Sequence, residues 1–336
     1  MPDSTSIFLI STPSQALFLY HNRTVVENSI LIITAASKKD INNIFKTLEP
    51  LGWQRTLVWH IPGGNNIGSY CRIIELRFKI WRLKKNYTNI EKVFLGSFNN
   101  IYHKAVAAEF EKRAQIFLLY DGLQVITVSD YRLGNVRYTK KYPKLHELLG
   151  YRTPNFEMVH YITPFPLNIK ENDSITVKNI AHQDYKNKEV LENDIFFIGQ
   201  PLVEVNFVSK QDYLKFLKLI INDYSHSHFT YIPHPRETTE NLQEISAITR
   251  VQRCDVIFEE FYKHSKVVPG KIISFYSSVL LNLYYFGAEI ELISYEIPQG
   301  SILSARYIQN INPVYNFFRN IPGSNFKMKQ LGLNKS

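Results

Sequence analysis

The sequence predicts an α/β protein made of two doubly wound units, each a mostly parallel sheet with helices on its faces. Three observations carry that prediction. Short apolar runs alternate with helically spaced segments along most of the chain. The alternation stops once, in a polar and aperiodic stretch from Pro164 to Asn193, and then resumes. The length of 336 residues accommodates two domains, each with its own core.

Taken in order, Ser6–Ser11 is a buried strand, followed by Thr12-Pro-Ser-Gln15 and a short helix. Ser29–Ala35 is a second strand, Asp40–Leu48 has helical spacing, and Arg55–Ile61 is a third strand ending in a glycine-rich turn, Gly63–Gly68. A basic helix covers about Tyr70 to Lys84. Lys92–Phe98 is a strand, Ile101–Lys112 a helix, and Gln115–Tyr120 a strand ending at Asp121-Gly122. Asp130–Arg137 reads as a small hairpin, Tyr142–Leu149 as a helix and Met158–Thr163 as a strand. The second unit begins with the strand Asp194–Gly199, then Ser209-Lys-Gln-Asp212 resembles a capping box ahead of a helix. Strands follow at Phe229–Pro233, Cys254–Phe258, Lys271–Tyr276 and Glu289–Tyr295. Ser277-Ser278 opens an apolar helix, and Ile302–Ile321 is helical with a kink at Pro313. The basic tail after Gly323 is expected to fray. The domains are therefore set at 1–165 and 194–336, both Rossmann-like, with 166–193 as linker and the last helix as a candidate to pack back on the first domain.

The composition is that of a soluble globular protein, 45% hydrophobic and 21% charged. With 22 Phe and 21 Tyr, packed sheets and aromatic-lined clefts are expected rather than disorder. Cys71 and Cys254 lie far apart and form no metal-ligand spacing, which suits a reducing compartment. No positively charged leader precedes the short apolar run Ile7–Ile10, and no 18-residue apolar stretch is present, so neither export nor membrane spanning is expected. The net charge of +9 points to anionic partners. Basic clusters occur at Lys79–Lys85 and Arg137–Lys144, without any zinc-finger, homeodomain or RNP-like pattern, so nucleic acid is not expected.

The stretch Tyr231-Ile-Pro-His-Pro-Arg-Glu237 holds His234 between two prolines at the end of a strand. Each proline fixes its own φ and pushes the preceding residue to extended backbone, so His234 stands on a stiff ledge where open α/β sheets bind ligands. A rigid turn with an incidental histidine is the competing reading. Gly63–Gly68 has G-x-x-x-x-G spacing but lacks the P-loop lysine. No G-x-G-x-x-G follows a strand and no D-x-D occurs, so no carboxylate-held metal is expected. Asp121 ends a strand and Gly122 permits a sharp turn; such a carboxylate can deprotonate a hydroxyl, or simply end a strand. Ser277-Ser278 can cradle a phosphate with hydroxyls and helix N–H groups, or cap the helix.

In their joint order these motifs resemble the bacterial sialyltransferases of glycosyltransferase family 52. Tyr120-Asp121-Gly122 is similar to an acidic-acidic-Gly motif, His234-Pro235 to an His-Pro motif and Ser277-Ser278 to a Ser-Ser motif. Thr12-Pro-Ser-Gln15 resembles an N-terminal Thr-Pro-x-Gln, Phe196-Phe-Ile-Gly199-Gln200-Pro201 a Gly-Gln-Pro segment, and Phe258-Glu259 a nucleoside-holding Phe-Glu element. Tyr120 departs from the pattern, standing where the first acid is expected.

The resemblance implies a GT-B fold, two Rossmann-like domains facing a central cleft. It implies inverting, metal-independent transfer of sialic acid from CMP-sialic acid to a terminal sugar, such as galactose, of lipooligosaccharide or capsule, with no cofactor. Asp121 would be the base and His234 the donor to the leaving phosphate. Ser277, Ser278, Gly199, Gln200, Pro235 and Glu259 would bind the nucleotide donor, and Thr12, Gln15, Gly122 and Arg236 would meet acceptor or donor. Arg236 would pair with Glu237 or with the substrate carboxylate. The enzyme would be cytoplasmic, peripheral at an anionic inner-membrane face; its oligomeric state, linkage and acceptor are left open. A same-fold transferase using CMP-legionaminic-type acid or a UDP-sugar, and a non-catalytic basic glycan-binding protein, are the alternatives.

Overall fold

The computed structural model describes residues 4–22, 28–60, 68–136 and 156–332, the side chains of 68–73 excepted. The basic cluster at 137–144, the expected helix at 142–149 and most of the turn at 63–68 lie outside the described residues. The chain divides into two compact units, Met1–Ile180 and Ala181–Ser336.

The first unit holds β1 (Thr5–Ile10), α1 (Pro13–Asn22), β2 (Ser29–Ile33), α2 (Lys38–Leu48), β3 (Arg55–Val58), α3 (Gly68–Asn86), β4 (Ile90–Leu95), α4 (Ile101–Phe110), β5 (Gln115–Leu119), α5 (Gln124–Arg132), β6 (His160–Thr163) and β7 (Ser174–Val177). Its strands form one sheet in the order β3-β2-β1-β4-β5-β6-β7. All of its pairings are parallel. The core is built on β1, where Ile7, Phe8, Leu9 and Ile10 are fully buried. Each such side chain contributes about 1.5–3 kcal/mol relative to exposure. Register aligns an aromatic ladder on one face: Phe8 stacks on Phe94 at 4.1 Å between centroids and Phe94 on Phe117 at 4.5 Å. Such cross-strand pairs fix register, because a slip by one residue would turn every ring to the other face.

The second unit holds β8 (Glu189–Ile198), α6 (Lys210–Asn222), β9 (His228–Ile232), α7 (Thr239–Ser246), β10 (Arg250–Val251), α8 (Phe258–His264), β11 (Val267–Ser274), α9 (Ser278–Phe286), β12 (Glu291–Glu296), α10 (Ala305–Arg319) and β13 (Phe326–Gln330). Its strand order is β10-β9-β8-β11-β12-β13, again parallel throughout. Ser209 caps α6 as its sequence predicts, accepting from the Asp212 N–H at 3.0 Å. Renumbered from its own first strand, this order is the 3-2-1-4-5-6 of a Rossmann sheet, and the first unit has the same order with one strand added. In each, the winding reverses beside the first strand: between β1 and β4, and between β8 and β11.

Four expectations need correction. The expected hairpin at Asp130–Arg137 instead begins inside α5, Gln124–Arg132, whose end is fixed by the distant pairing of Arg132 with Asp173 and whose Val125, Ile126 and Val128 are buried. Cys254–Phe258 is not a strand. Val256 is 51% exposed, and Phe258 and Tyr262, one helical turn apart, are the buried pair of α8. The stretch 166–193 carries β7 and the first half of β8, each paired in its own sheet. The tail does not fray at once. Phe326 packs edge-on against Phe318 at 5.1 Å and anchors β13 beside β12.

Candidate active site

The sequence-derived residues of the first unit follow the carboxyl ends of β1 and β5, the strands on either side of β4, next to the point where the winding reverses. Gln15 is fully buried in the first turn of α1. Its Oε1 accepts from the N–H groups of Ser11 at 2.8 Å and Thr12 at 3.3 Å, while the Thr12 hydroxyl accepts from the Gln15 N–H at 3.3 Å. Those donors settle which way the amide lies and turn Nε2 toward Asp121. It comes near enough to favour the ionised carboxylate, yet closes no hydrogen bond of ordinary geometry. Gly96 makes room for this amide. A Cβ there would overlap Gln15 Oε1 and come within 2.7 Å of the Leu9 carbonyl oxygen.

Asp121 follows β5, and Gly122 turns the chain with a φ of +59°. Burial pushes the Asp121 carboxyl up to about 6, against the opposing pull of Gln15 and Ser97. Ser97 is itself fixed: its hydroxyl donates to Gln124 Oε1 at 2.8 Å and its N–H donates to His103 Nδ1 at 3.0 Å. His103 is fully buried, which lowers its pKa to about 3. With Nδ1 accepting, the neutral ring carries its proton on Nε2 and donates to the Thr34 hydroxyl at 2.7 Å. Asp121 thus sits beside a polar network anchored on the ends of β2 and β4. Sequence reasoning missed Ser97 and His103. The signal for Ser97 is its place just beyond the carboxyl end of β4, the counterpart of Asp121 beyond β5; His103 joins Ser97, six residues before it, to Thr34, 69 positions away, and only the fold reveals that bridge.

Tyr120 does not share this position. It is 3% exposed and packs against Phe18 at 5.2 Å and Phe165 at 5.6 Å. A carboxylate buried among those rings would lose its hydration, so a tyrosine suits the core position better than the acid of the expected motif.

In the second unit, Gly199-Gln200 follows β8, His234 follows β9 and Ser277 follows β11, three adjacent strands. His234 Nδ1 accepts from the Arg236 N–H at 3.1 Å, so the neutral ring presents an Nε2–H donor. Burial and the nearby Arg236 charge lower its pKa and keep it neutral. Glu237 holds the ledge from beneath. Its Oε1 accepts the His234 N–H at 2.6 Å and its Oε2 accepts the Tyr231 hydroxyl at 2.6 Å. Tyr231 in turn accepts from Tyr213 at 2.6 Å, the direction required while Glu237 is ionised. Burial pushes the Glu237 carboxyl up to about 7 despite these donors. Both its oxygens are engaged by Tyr231 and the backbone, so Arg236 is not its partner; Arg236 and Pro235 lie exposed.

Gly199 is required by this arrangement, since a Cβ there would overlap Glu237 Oε1 and lie 2.5 Å from the Tyr231 hydroxyl oxygen. Gln200 Oε1 accepts from the Tyr276 N–H at 3.1 Å and the Ser274 hydroxyl at 3.3 Å, tying the ends of β8 and β11 together. Gly199→Ala is therefore expected to leave the sheet intact while shifting Glu237 and with it His234. A misplacement of about 1 Å costs roughly a hundredfold in turnover. The measurement is kcat alongside circular dichroism; an alanine variant with unchanged kcat and native spectrum sinks the positioning role of Glu237.

Ser277 is 7% exposed and caps α9, its hydroxyl accepting the Val279 N–H at 3.2 Å; Ser278 is half-buried in the first turn. Glu259, expected to meet a nucleoside, is 3% exposed and accepts from Asn282 Nδ2 at 2.5 Å, and burial raises its pKa. Among the described residues no three His, Cys, Asp or Glu side chains gather as a metal site. No helix among them is long and apolar enough to cross a membrane.

The glycosyltransferase family 52 profile matches residues 27–293. The chain belongs to glycosyltransferase family 52. This family 52 protein shares its fold with UDP-N-acetylglucosamine 2-epimerases. The Rickettsia bellii enzyme superposes with a TM-score of 0.55 at 13% identity, over 96% of this chain and 90% of that one. The Neisseria meningitidis enzyme bound to UDP-GlcNAc gives 0.54 at 10% identity, over 94% and 92%. The Methanocaldococcus jannaschii enzyme, in complex with UDP-GlcNAc and UDP, gives 0.51 at 14%, over 97% and 96%. At such identities the likeness shows the fold, which is GT-B with two Rossmann-like domains. No curated protein sequence matches the chain. The protein is thus a glycosyltransferase, an enzyme that takes a nucleotide-sugar donor and a glycan acceptor.

Proposed function

We propose that this enzyme moves sialic acid from CMP-sialic acid to a terminal sugar, galactose by preference, of a bacterial surface glycan such as lipooligosaccharide or capsule. The observation that carries the reading is Asp121: a strand-end carboxyl raised to about 6 is ionised near neutral pH yet basic enough to accept a proton. Asp121 takes the acceptor hydroxyl proton as its oxygen attacks the anomeric carbon. The bond from that carbon to the phosphate oxygen breaks, and CMP leaves with the electron pair. A single displacement of this kind inverts the anomeric centre, through an oxocarbenium-like transition state.

The charge growing on the leaving phosphate is met by His234 Nε2–H and by Ser277 and Ser278 at the start of α9. These are protein donors, so the proposed reaction needs no divalent ion or cofactor. Gly199, Gln200 and Pro235 shape that phosphate site, and Glu259 stands behind the nucleoside. Arg236, exposed and unengaged by Glu237, is assigned to the sialic acid carboxylate. Thr12, Gln15 and Gly122 set the acceptor side. Acceptors of this class are built at the cytoplasmic leaflet, so we place the enzyme in the cytoplasm, peripheral at that membrane face.

The test is CMP release from CMP-N-acetylneuraminic acid with a galactose-terminated acceptor, against an acceptor-free control. Acceptor-dependent release is expected, together with a rise in melting temperature on adding CMP. A melting shift with UDP and none with CMP would move the donor to a UDP-sugar. A CMP shift without release would point to another nine-carbon sugar or acceptor.

A further inference from the structure

Helix α3 is apolar on two opposite faces. Leu76, Ile80 and Leu83 are 2–5% exposed and belong to the core. Ile74, Phe78 and Trp81 are 63%, 55% and 54% exposed. At about 100° per residue, Ile74, Phe78, Trp81 and Lys85 fall within an arc of about 60° directly opposite the buried stripe. A surface helix ordinarily has one apolar stripe, so the second asks for a partner.

That face is organised. The Phe78 and Trp81 rings stack at 5.7 Å, with the Arg82 guanidinium 5.8 Å from Phe78 and the Lys85 ammonium 5.4 Å from Trp81. Ile74, Phe78 and Trp81 also line a groove of about 890 Å³ between α3 and α4, where Arg77, Lys84, Lys112 and Arg113 outnumber Glu109 and Glu111. From Ile74 onward α3 has five basic residues and one acidic, Glu75, which pairs with Lys79 at 2.6 Å. Lys84 pairs with Glu109 at 2.6 Å, and the balance of the strip stays positive.

We propose that this face docks on an anionic lipid bilayer. Ile74, Phe78 and Trp81 enter the boundary between headgroups and acyl chains, and the flanking lysines and arginines lie among the lipid phosphates. Aromatic rings capped by cations suit that boundary, where one end of a side chain is apolar and the other wet. Charge favours lipid over a second copy of this chain, because a two-fold contact through this strip would set like charges against each other. The inference rests on the peripheral placement proposed above and not on the identity of the sugar.

The experiment is flotation of the full chain with vesicles of phosphatidylcholine alone and with about 30% phosphatidylglycerol, at about 0.15 M salt. Binding is expected to the anionic vesicles only. The combined variant Ile74→Ser, Phe78→Ser, Trp81→Ser keeps every basic residue and should bind about tenfold more weakly or worse. Its transfer to a soluble acceptor should be unchanged, as these exposed positions are outside the core. Absence of flotation by the parent protein even at low salt overturns the proposal, as does a variant that floats equally well. A self-association abolished by the variant, without vesicle binding, would also overturn it and assign the face to a second copy. Flotation that holds while neither protein transfers sugar supports this surface and counts against the donor reading alone.

Discussion

Asp121→Asn is expected to remove most of the transferase activity and at the same time raise the melting temperature. The amide keeps the size of the carboxyl but cannot take a proton, and loss of a positioned general base costs about 10²–10⁴-fold in kcat/KM. The stability gain has the opposite origin. The Asp121 carboxyl titrates at about 6 in the folded chain against an ordinary 3.8, so the folded state binds its proton more tightly than the unfolded state does. Its contribution is therefore most favourable below the unfolded value and is lost as pH rises through about 4 to 6. At neutral pH the ionised group costs the fold about 1–3 kcal/mol, counting 1.36 kcal/mol per pKa unit and allowing for its partial exposure. An uncharged amide relieves that cost. CMP-release kinetics and thermal unfolding on one preparation check both halves; full turnover in the Asn variant would place the base elsewhere. In the parent enzyme, kcat/KM should fall as pH drops below about 6, the direction of a carboxylate becoming protonated.

The reach of the sequence depends on where the information is stored. Strands such as Ser6–Ser11 and Gln115–Tyr120 were legible because a parallel strand buried on both faces is a continuous apolar run. Strand-end residues were legible for the same reason: once β5, β9 and β11 are located, Asp121, His234 and Ser277 fall at their carboxyl ends. Their supports were not. Glu237 stands three residues beyond His234, in reach of its N–H, but only the fold brings Tyr231 and Tyr213 beneath it. Gly96 reads as part of the strand Lys92–Phe98 and Gly199 as a donor-binding glycine, whereas each is the space a buried amide or carboxylate occupies. Two of the misread elements share a cause. Helix α5 is held at its end through Arg132, whose partners Phe156 and Asp173 lie 24 and 41 residues on, and β7 is short and half exposed, so tertiary contacts decided the outcome.

Those two misread segments are joined by the most buried ion pair among the described residues, and cutting it is expected to be the most destabilising single change. Arg132, at the end of α5, donates from Nε and Nη2 to both oxygens of Asp173 at 2.6 Å, and from Nη1 and Nη2 to the Phe156 carbonyl oxygen at 3.1 and 3.2 Å. Asp173 also accepts the Val159 N–H at 2.9 Å, immediately before β6. The two side chains are 7% and 0% exposed. Burial opposes the Arg132 charge, yet Asp173 outweighs it and raises its pKa above the ordinary value. Asp173→Ala leaves that guanidinium buried without its counter-charge and frees the Val159 N–H, which costs about 3–5 kcal/mol. For a unit of this size that corresponds to a fall of roughly 6–20 °C in the first unfolding transition. Replacing both partners, Arg132→Met with Asp173→Leu, removes the stranded charge and should recover much of the loss. A thermal double-mutant cycle on the full chain measures the coupling. If the double variant is as unstable as the sum of the singles, the pair is not what holds α5 to the edge formed by β6 and β7.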